Sequence, residues 1–169
     1  IIFDNFKGKN VLSPLYFENI LNFVDQGGAV LEITGPSYNS RESLFRTALG
    51  KILPGAPTGN VLRGEFKPNL SDIGKIHPIT KSLFNEFKDY GKWYEMNKIS
   101  DINDRALTLL LGIDKNPLLT INRINNGRIA QIYSHNLWLW TKTNNNNGGP
   151  YNLLIKNLAH WLMKEPTLE

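Results

Sequence analysis

The chain has 169 residues, of which 41% are hydrophobic and 11% aromatic, enough apolar material to bury a core as one domain, residues 1–169. Lys and Arg total 19 against 15 for Asp and Glu, a net charge of +4, but the basic residues are scattered along the chain. Nucleic-acid binding requires a clustered basic face, so we expect no nucleic-acid partner. Cysteine is absent, which excludes disulfides, thiolate metal sites and cysteine nucleophiles.

The sequence contains no long hydrophobic segment. No apolar run approaches the roughly 20 residues that span a bilayer, and no segment near the first residue has the pattern of a signal peptide. The chain begins with Ile1-Ile2-Phe3 and without methionine. We therefore expect a piece of a longer protein, whose localisation is set by the parent.

The first elements alternate between strands and helices. Ile1 to Phe6 predicts a strand, and Ser13-Pro14 predicts the start of a helix, which Gly27-Gly28 ends. Apolar residues at helical spacing give that helix one buried face: Phe17, Ile20, Leu21 and Val24. Ala29 to Thr34 is typical of a strand buried in a parallel sheet, with Glu32 as its one misfit.

The middle of the chain predicts another helix and two more strands. Ser40 is a candidate cap for a helix that carries Leu44 to Leu49, and strand, helix, strand, helix in this order predicts right-handed βαβ units. Residues 54 to 79 contain several Pro and Gly with little periodicity, which predicts an irregular segment. Trp93 to Ile99 and Ala106 to Ile113 predict further strands.

The last third predicts a hairpin and a final helix. Leu118 to Ile124 and Arg128 to Tyr133 flank Asn125-Asn126-Gly127, and Asn-Gly tolerates the positive φ angles of a tight turn. Asn144 to Gly149 predicts a polar loop, after which Pro150 begins the helix.

The turn after the second strand is the first candidate site. Ligands of doubly wound sheets gather beyond the carboxyl ends of the strands, which places residues 34–39 and 134–140 at that edge. A nucleophile elbow would need Ser, Cys or Asp at the tip of Thr34-Gly35-Pro36, and proline removes one backbone donor. Ser37 and Tyr38 are candidate ligand-binding residues; alternatively, they only form a turn and prepare the next helix.

The second candidate site follows the late strand. Of the histidines His77, His135 and His160, only His135 falls at the predicted ligand edge. No two of them have the spacing of a helical zinc site, and no phosphate-binding glycine motif occurs, so we expect neither a metal nor a cofactor. Trp138 and Trp140 are either a partner or sugar-stacking surface, with Trp138 as the candidate binding residue, or one buried and one half-buried tryptophan.

Several stretches together resemble the class I glutamine amidotransferase-like domains of large bacterial membrane proteins. They are "LNFVDQGGAVLEITGPSYNS", "HPIT", "KWYEMNKI", "PLLTINRINNGRIAQIYSHNLWLW" and "GGPYNLLIKNLAHWLMKEP". "HPIT" is shared with the related trehalose-utilisation-type domains. The resemblance implies a flavodoxin-like three-layer α/β/α sandwich, with a mostly parallel sheet and a C-terminal antiparallel hairpin. It also implies that a strand-helix portion before Ile1 to Phe6 is missing.

The resemblance also implies which residues match the family's Cys-His-Glu triad. The cysteine position falls at Thr34 or Gly35, and His135 matches the histidine. Asn136 and Leu137 offer no carboxylate behind that histidine. The thiol and the orienting acid are therefore both missing from a mechanism that needs a thiolate.

Two functions follow. The first is a catalytically inactive binding or scaffold module of a larger bacterial membrane protein. Its expected partners are the remainder of that protein, another envelope protein or a small molecule. The alternative is a hydrolase of altered chemistry that uses His135 as base with Thr34, Ser37 or a water molecule.

Overall fold

A computed structural model describes residues 1–8, 11–83, 91–142 and 149–166. Its strands and helices, in chain order, are β1 (Ile2–Asp4), α1 (Pro14–Asp25), β2 (Ala29–Ile33), β3 (Gly55–Phe66), β4 (Asn69–Leu70), α2 (Asp72–Ile76), β5 (Trp93–Ile102), β6 (Leu107–Leu111), β7 (Pro117–Ile124), β8 (Gly127–Ile132) and α3 (Gly149–Leu162). Short 3-10 helices cover Pro36–Asn39, Leu44–Arg46, Ala48–Lys51, Ile113–Lys115 and His135–Lys142. Most of the predicted polar loop, residues 144–149, lies outside the described residues. Within the described ranges, no helix has the length and apolar character needed to cross a bilayer.

The strands form two separate sheets. The larger has the order β1-β2-β8-β7-β6-β4, in which β1, β2 and β8 are parallel and the remaining neighbours are antiparallel. β3 and β5 form a second, antiparallel sheet. The prediction of a flavodoxin-like three-layer sandwich with a mostly parallel sheet was therefore wrong. The chain has a mixed α/β fold with few helices.

The difference arises in the segment after β2. The predicted helix over Leu44 to Leu49 is replaced by two 3-10 turns, and the predicted irregular segment contains the 12-residue strand β3. Pairing with β5 tolerates the Pro and Gly residues of β3 because its register shifts after Gly55, after Pro57 and after Arg63. An antiparallel partner thus takes the place of the expected βαβ crossover.

β2 is buried on both faces, as its apolar sequence predicts. Val30 packs in one cluster with Phe17 and Val24 of α1, whereas Leu31 packs in another with Leu158 of α3. Successive side chains of a strand point to opposite faces, so α1 and α3 cover opposite sides of the sheet here. Full burial of each such side chain stabilises the fold by about 1.5–3 kcal/mol.

The predicted hairpin of β7 and β8 is confirmed, but its glycine has another role. Ile124 pairs with Gly127, and the positive φ angle of 48° in the turn belongs to Asn125. A Cβ atom on Gly127 would lie 2.0 Å from the carbonyl oxygen of Val24. Gly127 is therefore required because α1 ends directly against the start of β8.

We predict that Gly127→Ala lowers the free energy of unfolding by about 3 kcal/mol, because the backbone of α1 must move away from the new methyl group. Chemical denaturation measures this change. Gly59→Ala is the matched control: a Cβ atom there meets open space, but φ is +86°. We expect this control to lose only about 1 kcal/mol through backbone strain. Equal losses in the two variants would contradict the packing argument.

Candidate functional site

Thr34, at the position implied for a nucleophile, lies directly after β2. Its N–H donates to the carbonyl oxygen of Ile132 at 2.8 Å, and the residue is only 2% exposed. Its Oγ1 accepts a hydrogen bond of 2.8 Å from Nδ2 of Asn97, which also donates to the Gly35 carbonyl oxygen at 3.0 Å. The hydroxyl is thus buried and fixed to β5.

Gly35, the other implied nucleophile position, has no room for a side chain because Asn5, directly after β1, packs against it. A Cβ atom there would lie 1.6 Å from Oδ1 of Asn5, whose N–H donates to the Ile33 carbonyl oxygen. Gly35 has ordinary extended backbone angles, φ −105° and ψ −170°. The turn therefore lacks the strained, projecting geometry of a nucleophile elbow.

Ser37 and Tyr38 lie in the 3-10 helix that follows. The carbonyl oxygen of Ser37 accepts hydrogen bonds from the N–H and the hydroxyl of Ser40 at 3.0 and 2.8 Å. Tyr38 is 2% exposed and donates its hydroxyl proton to the carbonyl oxygen of Gly55. These contacts favour the interpretation that Ser37 and Tyr38 only form a turn. The Tyr38 side chain lies in the protein interior.

His135 begins the 3-10 helix that follows β8 and is half-buried. Within the described ranges its side chain makes no hydrogen bond to a hydroxyl or an acid. The next residue, Asn136, is used structurally, because its Oδ1 accepts from the N–H groups of Tyr94 and Glu95 at 2.9 and 3.1 Å. The side chains of His135 and Thr34 are therefore not hydrogen-bonded to each other.

The two candidate tryptophans occupy a 3-10 helix rather than the expected strand end. Trp140 is fully buried, donates from Nε1 to the Gly91 carbonyl oxygen at 3.0 Å and packs against Trp93 at 5.0 Å between ring centroids. Trp138 is 50% exposed. Trp140 is thus a core residue, and Trp138 is available at the surface.

An open groove lies at the carboxyl end of β1, on the predicted ligand edge. It has a volume of about 620 Å³ and runs between the start of α1 and the 3-10 helices near residue 47. Ser13, Phe17, Arg46 and Thr47 are among its lining residues. The groove offers apolar surface, hydroxyl groups, the cation of Arg46 and the carboxylate of Glu18 to a ligand or partner.

Sequence reasoning missed a buried polar network centred on Glu32. Glu32 is 3% exposed, and its Oε2 accepts a hydrogen bond of 2.6 Å from Nε2 of Gln131. Burial raises the pKa of Glu32 to about 7, because the charged form loses its hydration, and the hydrogen bond from Gln131 opposes this rise. Near neutral pH the protonated and the ionised form of this carboxyl group are therefore both populated.

The amide of Gln131 uses all its hydrogen-bonding groups. Nε2 donates to Glu32 and to the Tyr38 hydroxyl at 3.1 Å. Oε1 accepts from the Gly55 N–H at 2.8 Å and from the Tyr133 hydroxyl at 3.1 Å. Two donors and two acceptors are the full capacity of a primary amide, so Gln131 connects β2, β3 and β8 without an unpaired group.

The network continues to Thr120, whose Oγ1 lies 2.6 Å from the Tyr133 hydroxyl. Glu32, Gln131 and Thr120 are register partners across β2, β8 and β7 and so share one face of the sheet. Burial raises the pKa of Tyr133 far above its ordinary value, which keeps its hydroxyl protonated. The misfit Glu32 was the sequence signal for this network, but the strand register that completes it was not visible.

The described residues contain no cluster of metal-ligating side chains. Across residues 1–8, 11–83, 91–142 and 149–166, no three His, Asp or Glu side chains form a group that could hold a metal ion. The buried Glu32 is paired with an amide rather than with other ligand side chains.

Comparisons with known proteins identify the fold. No protein-family model and no curated protein sequence matches the chain. The chain is similar to the solved structure of Cytoplasmic Protein STM3548 from Salmonella typhimurium, at 20% identity and a TM-score of 0.75, over 96% of this chain and 70% of that one. It is also similar to Cytoplasmic Protein STM1381 from Salmonella typhimurium LT2, at 18% identity and a TM-score of 0.68, over 87% of this chain and 60% of that one.

An enzyme contains a similar portion. The beta-galactosidase from Bacillus circulans sp. alkalophilus matches 99% of this chain with 22% of its own, at 15% identity and a TM-score of 0.58. At these identities the likenesses show the fold alone. They establish that this mixed α/β arrangement recurs, both over 60–70% of the two Salmonella proteins and as a small part of a large enzyme.

We predict that Glu32→Gln changes how stability depends on pH. In the folded state Glu32 binds its proton more tightly than in the unfolded chain, where the ordinary pKa of 4.5 applies. Its stabilising effect is therefore complete below pH 4.5 and is lost as the pH rises through about 7. Relative to wild type, Glu32→Gln should gain about 3 kcal/mol in the free energy of unfolding between about pH 4 and pH 8.

Denaturant titrations at a series of pH values measure this difference. Glu18→Gln, on the exposed side of α1, is the control that removes a carboxylate outside the network. We expect this control to keep the wild-type pH dependence. Parallel pH profiles for wild type and Glu32→Gln would contradict the raised pKa of Glu32.

Proposed function

We propose that this chain is a non-catalytic binding or scaffold module in which an amidotransferase-like site has lost its chemistry. The observation that carries the proposal is the state of Thr34, whose hydroxyl is buried and accepts a hydrogen bond from Asn97. A nucleophile must face a substrate and have its proton removed by a nearby base. Thr34 does neither within the described part of the chain.

The absence of a cysteine and the surroundings of His135 support the same proposal. Glutamine hydrolysis by the family mechanism needs a thiolate that forms a thioester, and the chain contains no cysteine. His135 makes no hydrogen bond to an orienting acid in the described ranges, and Asn136 is engaged with β5. The alternative hydrolase with Thr34 or Ser37 as nucleophile is less well supported, since neither residue is hydrogen-bonded to His135.

Binding at the old ligand edge is supported by the exposed features that remain there. The groove beside α1 is open, and Trp138 presents half its surface to solvent. The resemblance to domains of large bacterial membrane proteins suggests the remainder of such a protein, or another envelope protein, as the partner. Coding sequence that flanks this segment and encodes apolar stretches of about 20 residues would support that context.

We predict that the wild-type chain hydrolyses no glutamine and that Thr34→Cys does not restore activity. The new thiol would be buried and would lack a base in contact. A coupled assay for glutamate release measures both proteins, with an active class I amidotransferase as the positive control.

His135→Ala is the matched variant for this assay. Glutamate release by wild type that disappears in His135→Ala would overturn the non-catalytic proposal. Release by Thr34→Cys that disappears in the double variant with His135→Ala would show that only the thiol had been lost.

A further inference from the structure

Among the described residues, the second sheet is open along the outer edge of β3. The far side of β5 is occupied, because the Asn97 N–H donates to the carbonyl oxygen of Tyr133 at 2.7 Å. The Glu95 N–H likewise donates to Oδ1 of Asn136 at 3.1 Å. β3 pairs with β5 alone in the described ranges. The side of β3 that faces away from β5 is therefore a template on which another strand can pair.

Val61 and Arg63 direct their backbone groups to this open edge. They lie opposite Asn97 and Glu95, whose N–H groups point away from β3. In an antiparallel pair, opposite residues point their N–H and C=O groups either toward each other or both away. The N–H and C=O groups of Val61 and Arg63 therefore face outward, where no side chain or loop of the described ranges binds them.

The earlier part of the same edge is closed by a side chain. Nδ2 of Asn39 donates to the carbonyl oxygen of Asn60 at 2.9 Å, and Oδ1 of Asn39 accepts from the Gly59 N–H at 2.9 Å. This amide occupies the place of a neighbouring strand. The open stretch is thus residues 61–66, which contains neither proline nor lysine, two residues that commonly protect strand edges.

The sequence of the open stretch is complementary to itself. When Leu62-Arg63-Gly64-Glu65-Phe66 runs antiparallel to a second copy about Gly64, Arg63 lies opposite Glu65 and Leu62 lies opposite Phe66. The side chains of Arg63 and Glu65 are 71% and 53% exposed. A Cβ atom on Gly64 would meet open space, so two backbones can approach each other at this point.

Two ion pairs within the second sheet extend this complementarity. Nε of Arg63 lies 2.9 Å from Oε2 of Glu95, and Nζ of Lys92 lies 2.5 Å from Oε1 of Glu65. With a second copy on the open edge, the charges form one row that alternates in sign: Glu95 and Arg63 of one copy, then Glu65 and Lys92 of the other. Opposite charges across neighbouring strands stabilise a sheet, so the edge favours a second copy as its occupant.

We propose that two copies of this chain associate through residues 61–66 of β3, antiparallel and related by a two-fold axis. The outward N–H and C=O groups of Arg63 supply ladder hydrogen bonds, and the charge row sets the register. The register shift between Arg63 and Phe66 bulges the strand and limits the number of ladder bonds. The dimer is therefore weak, with a dissociation constant on the order of 100 µM.

This inference goes beyond the proposed binding or scaffold function. No residue of the open stretch lines the groove beside α1, and the association requires neither Trp138 nor any step of glutamine hydrolysis. A monomeric chain would leave the non-catalytic proposal intact, and glutamine hydrolysis would leave the dimer intact.

Sedimentation velocity between about 10 µM and 1 mM measures the association, and we expect the average mass of wild type to rise from monomer toward dimer. Arg63→Glu makes the stretch acidic and Glu65→Arg makes it basic. Each variant alone should associate about tenfold or more weakly, because like charges then lie opposite each other. An equimolar mixture of the two should associate like wild type, since each copy then meets the opposite charge.

The controls separate this local attraction from other effects of charge. Each substitution changes the net charge of +4 by two units, so both variants remain positive and have no overall attraction for each other. Lys7→Glu, which breaks an exposed ion pair with Glu42, is the matched control and should associate like wild type. Circular dichroism shows that each variant is folded.

Three results would each overturn the proposal. The first is a wild-type chain that stays monomeric to about 1 mM, which would leave the edge to a strand of another protein. The second is unchanged association in both single variants. The third is a mixture of Arg63→Glu and Glu65→Arg that associates no more strongly than either variant alone.

Discussion

The amide of Gln131 is the constraint on which the rest of this structure depends. It lies in the middle of the larger sheet, fully buried, and binds Glu32 and the Tyr38 hydroxyl through its nitrogen. Through its oxygen it binds Gly55 at the start of β3 and the Tyr133 hydroxyl. One side chain therefore connects the parallel strands to the second sheet. Without it, the Glu32 carboxyl and the Gly55 N–H would lose this buried partner, whereas the two tyrosine hydroxyls would keep their bonds to the Gly55 carbonyl oxygen and Thr120.

The turn after β2 packs against this network. A catalytic turn must leave room for a substrate, but here Tyr38 points into the network and Asn97 reaches from β5 to bind Thr34. Asn5 fills the space beside Gly35. The polar groups at this edge thus satisfy one another, as buried polar groups in a structural junction do.

Local signals predicted α1 and the hairpin, but they also predicted a helix over Leu44 to Leu49 where the chain forms two 3-10 turns. Pro14 marked the start of α1, and Asn125 provided the positive φ angle of the hairpin turn. Features that depend on a distant partner were missed. The β3 segment contains Pro57, which predicts irregular structure from sequence alone, but its pairing with β5 makes it a strand. The buried polar network was missed for the same reason: Glu32 was visible as a misfit, but Gln131 lies 99 residues away and only strand register joins them.

The most direct test of this account is the free energy of unfolding of Gln131→Met, measured by denaturant titration near pH 5. Methionine fills a similar volume but leaves Glu32 and the Gly55 N–H buried without their partner. We expect a loss of about 3 kcal/mol or more, since each buried group left unpaired costs about 1–3 kcal/mol. A loss below about 1 kcal/mol would contradict the claim that this amide holds the two sheets together.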